Sequence, residues 1–288
     1  MPRTPEIPND PDFIAASTLR DALLGLAKAS PELADAHDKA GWLALYSDDA
    51  VVADPVGAPP SHVGRRKGSL GDELGRFYEA FIAPSAIAME PHLELVSEMS
   101  VFRAVTIHTT HLKTGLEMHV PANLLYEIAQ TDDGLRIRKM HAHWELNRMS
   151  RAVLSEGARG LRTVMRLNTL MLRSFGPRWM ARYFRASTQG VGRQGKETWQ
   201  RWAAAPGDQP EVSIRIPGKP SVSPSEFVDA SSGLRVGELI ASGPTVSGPL
   251  SLEWEGVPRS GAFIAELDPR GDRVRDVRLL WDHPSSVG

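Results

Sequence analysis

In "VVADPVGAPPSHVGR", residues 51–65, an aspartate closes a valine-rich apolar run and stands directly before a proline, so Asp54 falls at the end of a strand or extended edge. A carboxylate carried on an apolar wall is a candidate to move a proton. Asp-Pro pairs also simply turn a chain, and that local role stands beside the chemical one. Five histidines, His108, His111, His119, His141 and His143, also cluster along the sequence. His141 and His143 share a strand face and could meet a carboxylate around zinc. However, there is no His-Glu-x-x-His helix, strand histidines are more often solvated or hydrogen-bonded, and no metal is expected. His119 and Glu127 share a strand without a spacing that selects them as an acid–base pair. The chain has no cysteine, which removes disulfides, thiolate nucleophiles and sulfur-built metal sites. No Gly-x-Gly-x-x-Gly or Walker pattern appears, and no cofactor is expected.

The 288 residues suffice for one large domain or two ordinary ones, with 41% hydrophobic and 24% charged residues, the balance of a folded globular chain. A net charge of -2 gives no global reason to expect nucleic acid as partner. The start, "MPRTPEIPNDPDF", lacks the continuous apolar stretch of an export signal, no apolar run is long enough to span a bilayer, and the cysteine-free composition fits a reducing cytoplasm, so a cytoplasmic location is expected.

Apolar spacing predicts a helix from Phe13 to about Lys28 and a second opened by Ser30 as N-cap before Pro31. A further helix is predicted in "SLGDELGRFYEAFIA", and four strands follow to about Met149 with turns at "KTG" and "TDDG". Helices followed by an antiparallel meander make an α+β unit. The second half echoes the first: Ile137, Met140 and Trp144 recur as Val274, Val277 and Trp281, each 137 residues on, and "HVGRR" at 62–66 recurs as "GVGRQ" at 190–194. The expected organisation is an irregular tail at 1–12, a domain at 13–150 and a degenerate copy at 151–288. Residues 151–186 interleave arginines with apolar residues against the single acid Glu156. They are expected to form a helix pair of the second copy with solvated or ion-paired arginines, and they also admit a weak contact with a membrane surface. Residues 205–225 read as a long loop.

"WLALYSDDAVVADPVG", then "GR" and "FYEAF", a Pro-x-Asn run and "KMHAHW" together resemble the steroid Δ-isomerase (ketosteroid isomerase) branch of the NTF2-like or SnoaL-like superfamily, over roughly residues 30–149. The resemblance implies a curved antiparallel sheet wrapped around helices with an apolar pocket, here as tandem domains. It also implies Asp54 as general base of a cofactor-independent isomerase acting on a hydrophobic, steroid-like ketone. Asn123 then matches the acid that donates to the enolate oxygen. The tyrosine that donates beside it falls at Ser30, a departure that weakens the oxyanion site, and Tyr78 matches a supporting tyrosine able to take over. Met140, Ala142 and Trp144, alternating on the last strand, match the ligand-contacting wall and suit a steroid-like or polyketide-like ligand.

Extended backward without gaps, the "VGR" match sets Arg182 opposite Asp54 and leaves Ser260, Gly261 or Ala262 opposite Asn123. The second copy is then a structural half that pairs with the first within the chain, unless pairing is by homodimer. Two rival functions remain: a steroid- or lipid-binding module without turnover, and an epoxide hydrolase or cyclase using the same carboxylate with Glu79 or Glu127 as a second acid.

Overall fold

A computed structural model describes residues 11–63, 72–206, 209, 211–219 and 221–282; most of the expected N-terminal tail and the "GR" at 64–65 lie outside the described residues. Helix α1 runs unbroken over Pro11–Asp35, with Pro31 inside it, where the sequence predicted two helices divided at Ser30. Proline has no N–H for the carbonyl four residues back, so Ala27 would keep an orphan acceptor. Arg103, buried on strand β4 (Ser100–His111), donates its Nη1 to that oxygen at 3.4 Å. Its Nε is held by Glu94 at 2.8 Å, and Glu94 also pairs with Lys28 at 2.9 Å. The break in one element is therefore mended by another far away in sequence.

Ser30 is freed from capping and is buried. Its Oγ receives the indole N–H of Trp42 at 3.2 Å and shares a hydrogen bond with the Tyr46 hydroxyl at 3.4 Å. Trp42 lies on the short helix α2 (Lys39–Ala44), and Tyr46 opens strand β1 (Tyr46–Ala53). Strand β2 (Ser61–His62) follows, then helix α3 (Glu73–Phe77), whose first N–H groups are capped by Asp72, and a single π-helical turn at Tyr78–Ile82. Strand β3 (Ser85–Ser97), β4, β5 (Leu116–Thr131) and β6 (Gly134–His143) form the expected meander. The sheet order is β2-β1-β6-β5-β4-β3, with β1 parallel to β6. Strand alternation divides the faces: Ala122, Leu124 and Tyr126 on β5 join the core under α1, while Leu125 points to the opposite side.

Three helices follow, α4 (Leu146–Ser155), α5 (Gly157–Phe175) and α6 (Pro177–Thr188). The sequence placed them in the second domain, with a boundary at 150 that falls inside α4. Instead they pack on the first domain, where Phe175, Trp179 and Tyr183 surround Phe81 of the π-helical turn with ring centroids 6.0–6.4 Å away. They are drawn there because Phe81 and its neighbours leave apolar surface at the open end of the sheet, which one sheet layer cannot bury alone. By packing, the boundary lies between α6 and α7.

The remainder comprises α7 (Gly192–Ala204), β7 (Ser213–Arg215), α8 (Pro224–Ala230), β8 (Ser231–Val236), β9 (Ile240–Ser242), β10 (Thr245–Trp254), β11 (Val257–Leu267) and β12 (Val274–Trp281). Its sheet runs β7-β12-β11-β10-β8, with β9 also on β10 and with β7 parallel to β12, which parallels the first sheet and fits tandem domains. Trp199 stacks on Phe263 at 4.0 Å in a core that includes Trp202, Phe227, Trp254 and Trp281.

The two sheets meet back to back within the chain. Leu95, Phe102, Ala104 and Leu125 pack against Ala262 and Leu280. Beside this apolar patch Arg278 donates to Glu127 at 2.8 Å and to Ser100 at 2.7 Å, and Lys139 reaches Glu127 at 3.0 Å. Burial alone would raise the Glu127 carboxyl, but the two cations hold it below its ordinary range. Glu127→Ala is expected to destabilise the protein by about 1–3 kcal/mol in urea unfolding, because Arg278 is left half-buried without its counter-charge. An unchanged midpoint would show that solvent already screens this cluster.

Candidate active site

Asp54 sits one residue beyond β1, in a turn held from two sides. Val56 donates its N–H to the Ala142 carbonyl of β6 at 2.9 Å, and Ser242 of β9 donates its hydroxyl to the Val56 carbonyl at 3.0 Å. The turn reverses through Gly57, at φ +94°, where a Cβ would collide with Gly243 of the second domain. The second domain thus braces the turn that carries the carboxylate.

Trp144, just past β6, donates its indole N–H to Asp54 Oδ1 at 2.5 Å. Among the described residues the other carboxylate oxygen has no hydrogen-bond partner. Asp54 keeps some open surface, yet it is ringed by protein. Burial pushes its carboxyl up to about 6, against the lowering effect of the Trp144 bond. A carboxyl poised there can accept and release a proton near neutral pH.

Three tyrosines lie within the field of Asp54, and the sequence reading named none of them. Burial raises the hydroxyls of Tyr46, Tyr126 and Tyr183, and the Asp54 charge raises each further. Tyr46 and Tyr126 are committed to Ser30, and Tyr126 also to Arg103. Tyr183, on α6, packs against Ala58 of the Asp54 turn and stacks on Trp179 at 5.2 Å; among the described residues its hydroxyl makes no hydrogen bond. Tyr46 could have been found by strand parity, since Tyr46, Ala50 and Val52 share one buried face of the strand that leads to Asp54. Tyr126 needed the register, which sets it opposite Met140. Nothing local marks Tyr183.

The expected site residues separate into two groups. Met140, Ala142 and Trp144 lie on the Asp54 side in the first core. Asn123 does not: its Nδ2 donates to Ser247 Oγ of the second domain at 3.0 Å, on the opposite face. Strand alternation explains the correction, because Asn123 has the parity of Leu125 rather than that of Tyr126. Tyr78 is also elsewhere. It packs on Trp42 at 5.6 Å, and after burial the groups that act on its hydroxyl are Glu79 and Asp38, not Asp54. Glu79 is paired with Lys39 at 2.6 Å and Glu127 belongs to the interface between the sheets, so neither is a second acid beside Asp54.

The histidines serve the sheets. His108 and His119 share a hydrogen bond at 2.6 Å, and His143 Nδ1 meets Thr245 Oγ1 at 2.9 Å. Thr245 gives its only hydroxyl proton to the Ser242 carbonyl, so His143 is the donor, and burial holds it neutral by pushing its pKa down to about 3. Among the described residues no three His, Asp or Glu side chains are grouped as metal ligands.

Register also corrects the alignment of the two halves. Val52 pairs with Met140 and Ile214 pairs with Val277, so two residues further on Asp54 corresponds to Ile216, and Pro55 to Pro217. Asn123 pairs with His143 as Ala262 pairs with Leu280. Arg182, expected opposite Asp54, is instead on α6, lining a cleft of ≈ 490 Å³ with Arg185, Pro59 and Pro60. The "VGR" likeness misled because 190–194 leads into α7, ahead of the first strand of its sheet, whereas 62–66 follows β1.

Residues 27–140 match the family model described as a SnoaL-like domain. No curated protein matches the chain. Among solved structures, it is similar to a Mycobacterium tuberculosis protein in complex with estradiol-17beta-hemisuccinate, at 23% identity over 43% of this chain and 95% of that one, with a TM-score of 0.37. It is also similar to the Δ5-3-ketosteroid isomerase of a Mycobacterium species, at 24% identity over 43% and 94%, TM-score 0.36. A third is a computationally designed 17-OHP binder, at 21% identity over 43% and 94%, TM-score 0.37. Among the described residues no helix is long and apolar enough to cross a membrane.

Proposed function

We propose that the first domain isomerises a hydrophobic, ring-built ketone without a cofactor, and that Asp54 carries the proton between two carbons. The observation that carries this reading is the Asp54 carboxyl itself, raised to about 6 by burial, steadied through one oxygen by Trp144 and uncommitted at the other. The free oxygen would abstract a proton from the carbon beside the carbonyl and deliver it two carbons on, while Met140, Ala142 and Trp144 exclude water. Negative charge develops on the ketone oxygen during this step and requires a donor. Tyr183 is the hydroxyl free to supply one, in place of the Asn123 and Tyr78 expected from sequence.

The test is to incubate the protein with 5-androstene-3,17-dione and follow the ultraviolet absorbance of the conjugated enone. Enone formation supports the reading. Absence of turnover, together with saturable quenching of tryptophan fluorescence by the steroid, would replace it with a binding module. That second reading is favoured by Ser30, which engages the hydroxyls of Tyr46 and Tyr126, so that neither of these two is free to donate to a ligand. A hydrolase or cyclase needs a further acid, which neither Glu79 nor Glu127 provides at Asp54.

Trp144→Phe keeps an aromatic wall and deletes the bond that favours ionised Asp54. The acid limb of the pH–rate profile should move upward by about one pH unit. An unmoved limb would mean that Asp54 is not the group titrating. The second domain, with Ile216 where the base would stand, is on this reading a degenerate copy whose task is to brace the Asp54 turn.

A further inference from the structure

The outer surface of the three-helix cap carries a pattern that neither core uses. On α5, Leu161, Met165 and Leu172 are 53%, 61% and 48% exposed. Their spacing of i, i+4 and i+11 puts them on one line of an α-helix. Arg162, Arg166 and Arg173 are exposed along an adjacent line about a quarter-turn to a third of a turn away, and exposed Arg159 lies somewhat farther round. The buried side of the helix, with Gly160, Thr163 and Met171, is a third line. Leu154 on α4 and Phe184 on α6 are also exposed, and the β4–β5 loop, tied to α5 by a 2.7 Å hydrogen bond between Thr114 and Thr163, exposes Leu112.

Charge sharpens the pattern. Residues 151–186 contain eight arginines and one acid in a chain whose net charge is -2. That acid, Glu156, is taken by Arg159 at 2.7 Å, and among the described residues Arg162, Arg166 and Arg173 have no acidic partner.

We propose that this face of the cap docks the protein on an anionic lipid bilayer. Apolar side chains beside unpaired arginines match the two layers of such a surface: Leu161, Met165 and Leu172 enter the acyl boundary, and the arginine stems lie along it with their guanidinium groups on lipid phosphates. A second copy of this chain fits less well, because pairing the same face would oppose two rows of arginines. The inner side of the same helices carries Tyr183 and Trp179 beside the Asp54 turn, so docking would bring the closed end of the first domain toward a source of apolar ligand. The docking does not depend on what Asp54 does there.

The test is co-sedimentation of the full chain with vesicles of phosphatidylcholine alone and of phosphatidylcholine with about one third phosphatidylserine, at low and high salt. The protein should pellet with the anionic vesicles, less so at high salt. The triple variants Leu161→Ser/Met165→Ser/Leu172→Ser and Arg162→Gln/Arg166→Gln/Arg173→Gln should each lower the partition coefficient about tenfold or more, with unchanged circular dichroism because every substituted residue is exposed. Protein that stays in the supernatant overturns the proposal, as does pelleting that neither triple variant reduces. Dimerisation in sedimentation velocity that the apolar variant alone abolishes would also overturn it and assign the face to a second copy.

Discussion

Asp54→Asn should lower turnover of 5-androstene-3,17-dione by about 10²–10⁴-fold, the range for loss of a positioned general base, while steroid binding stays close to wild type. Asparagine keeps the shape and an oxygen for the Trp144 indole, so the turn and the wall are preserved and only the proton acceptor is lost. The wild-type profile supplies a second, independent readout. The base acts when ionised, so kcat/KM should fall as pH drops below about 6, the value to which burial raises Asp54. In the variant that limb should vanish.

The same shift has the opposite sign for stability. A carboxyl whose folded pKa lies above its unfolded value is most at home protonated. Its favourable contribution is present below the unfolded value near 3.8 and is lost as pH rises through about 6. Ionised Asp54 therefore burdens the fold at neutral and alkaline pH, and Asp54→Asn should stabilise the protein there by about 1–3 kcal/mol, with the gain fading in acid. Equal turnover in wild type and variant would remove Asp54 from the chemistry, whatever its effect on stability.

Trp281→Ala is expected to cost about 3–5 kcal/mol, because it empties a large aromatic site in the second core. Trp281 is 3% exposed, its ring is 6.2 Å from Trp254, and the Arg259 guanidinium lies 5.9 Å from its centroid. Among the described residues no contact links it to the Asp54 carboxylate, so at temperatures where the variant is folded its kcat should match wild type. A lowered kcat in the fully folded variant would show that the second core reaches the site through Ser242 and Gly243, which brace the Asp54 turn. Thermal unfolding and turnover measured on one preparation separate the two outcomes.

Local pattern sufficed for much of this fold. Period-two alternation and turn residues marked the meander, and the 137-residue echo of Met140 and Trp144 found β6 and β12, because strand patterning depends only on which face is buried. The block around Asp54 marked a carboxylate that lies beside the first core, bonded to Trp144. Local pattern misled where a distant partner decides the outcome. Ser30 and Pro31 carry the signature of a helix start, but Arg103 takes over the carbonyl that Pro31 leaves unmatched, and the helix continues.

The sequence alone determined the composition of each half, the strand order along the chain and the chemical type of the candidate base. Only tertiary structure decided which side each polar residue serves. Asn123 turns to Ser247 because a second sheet covers the outer face of the first, and nothing in its own strand announces that cover. Tyr183 comes to Asp54 from a helix 129 residues later, and Ile216 is identified as the counterpart of Asp54 by sheet register. The physical reason is common to all three: periodicity reports burial along one element, whereas the partner across a packed interface is chosen by the shape and unmet hydrogen bonds of another.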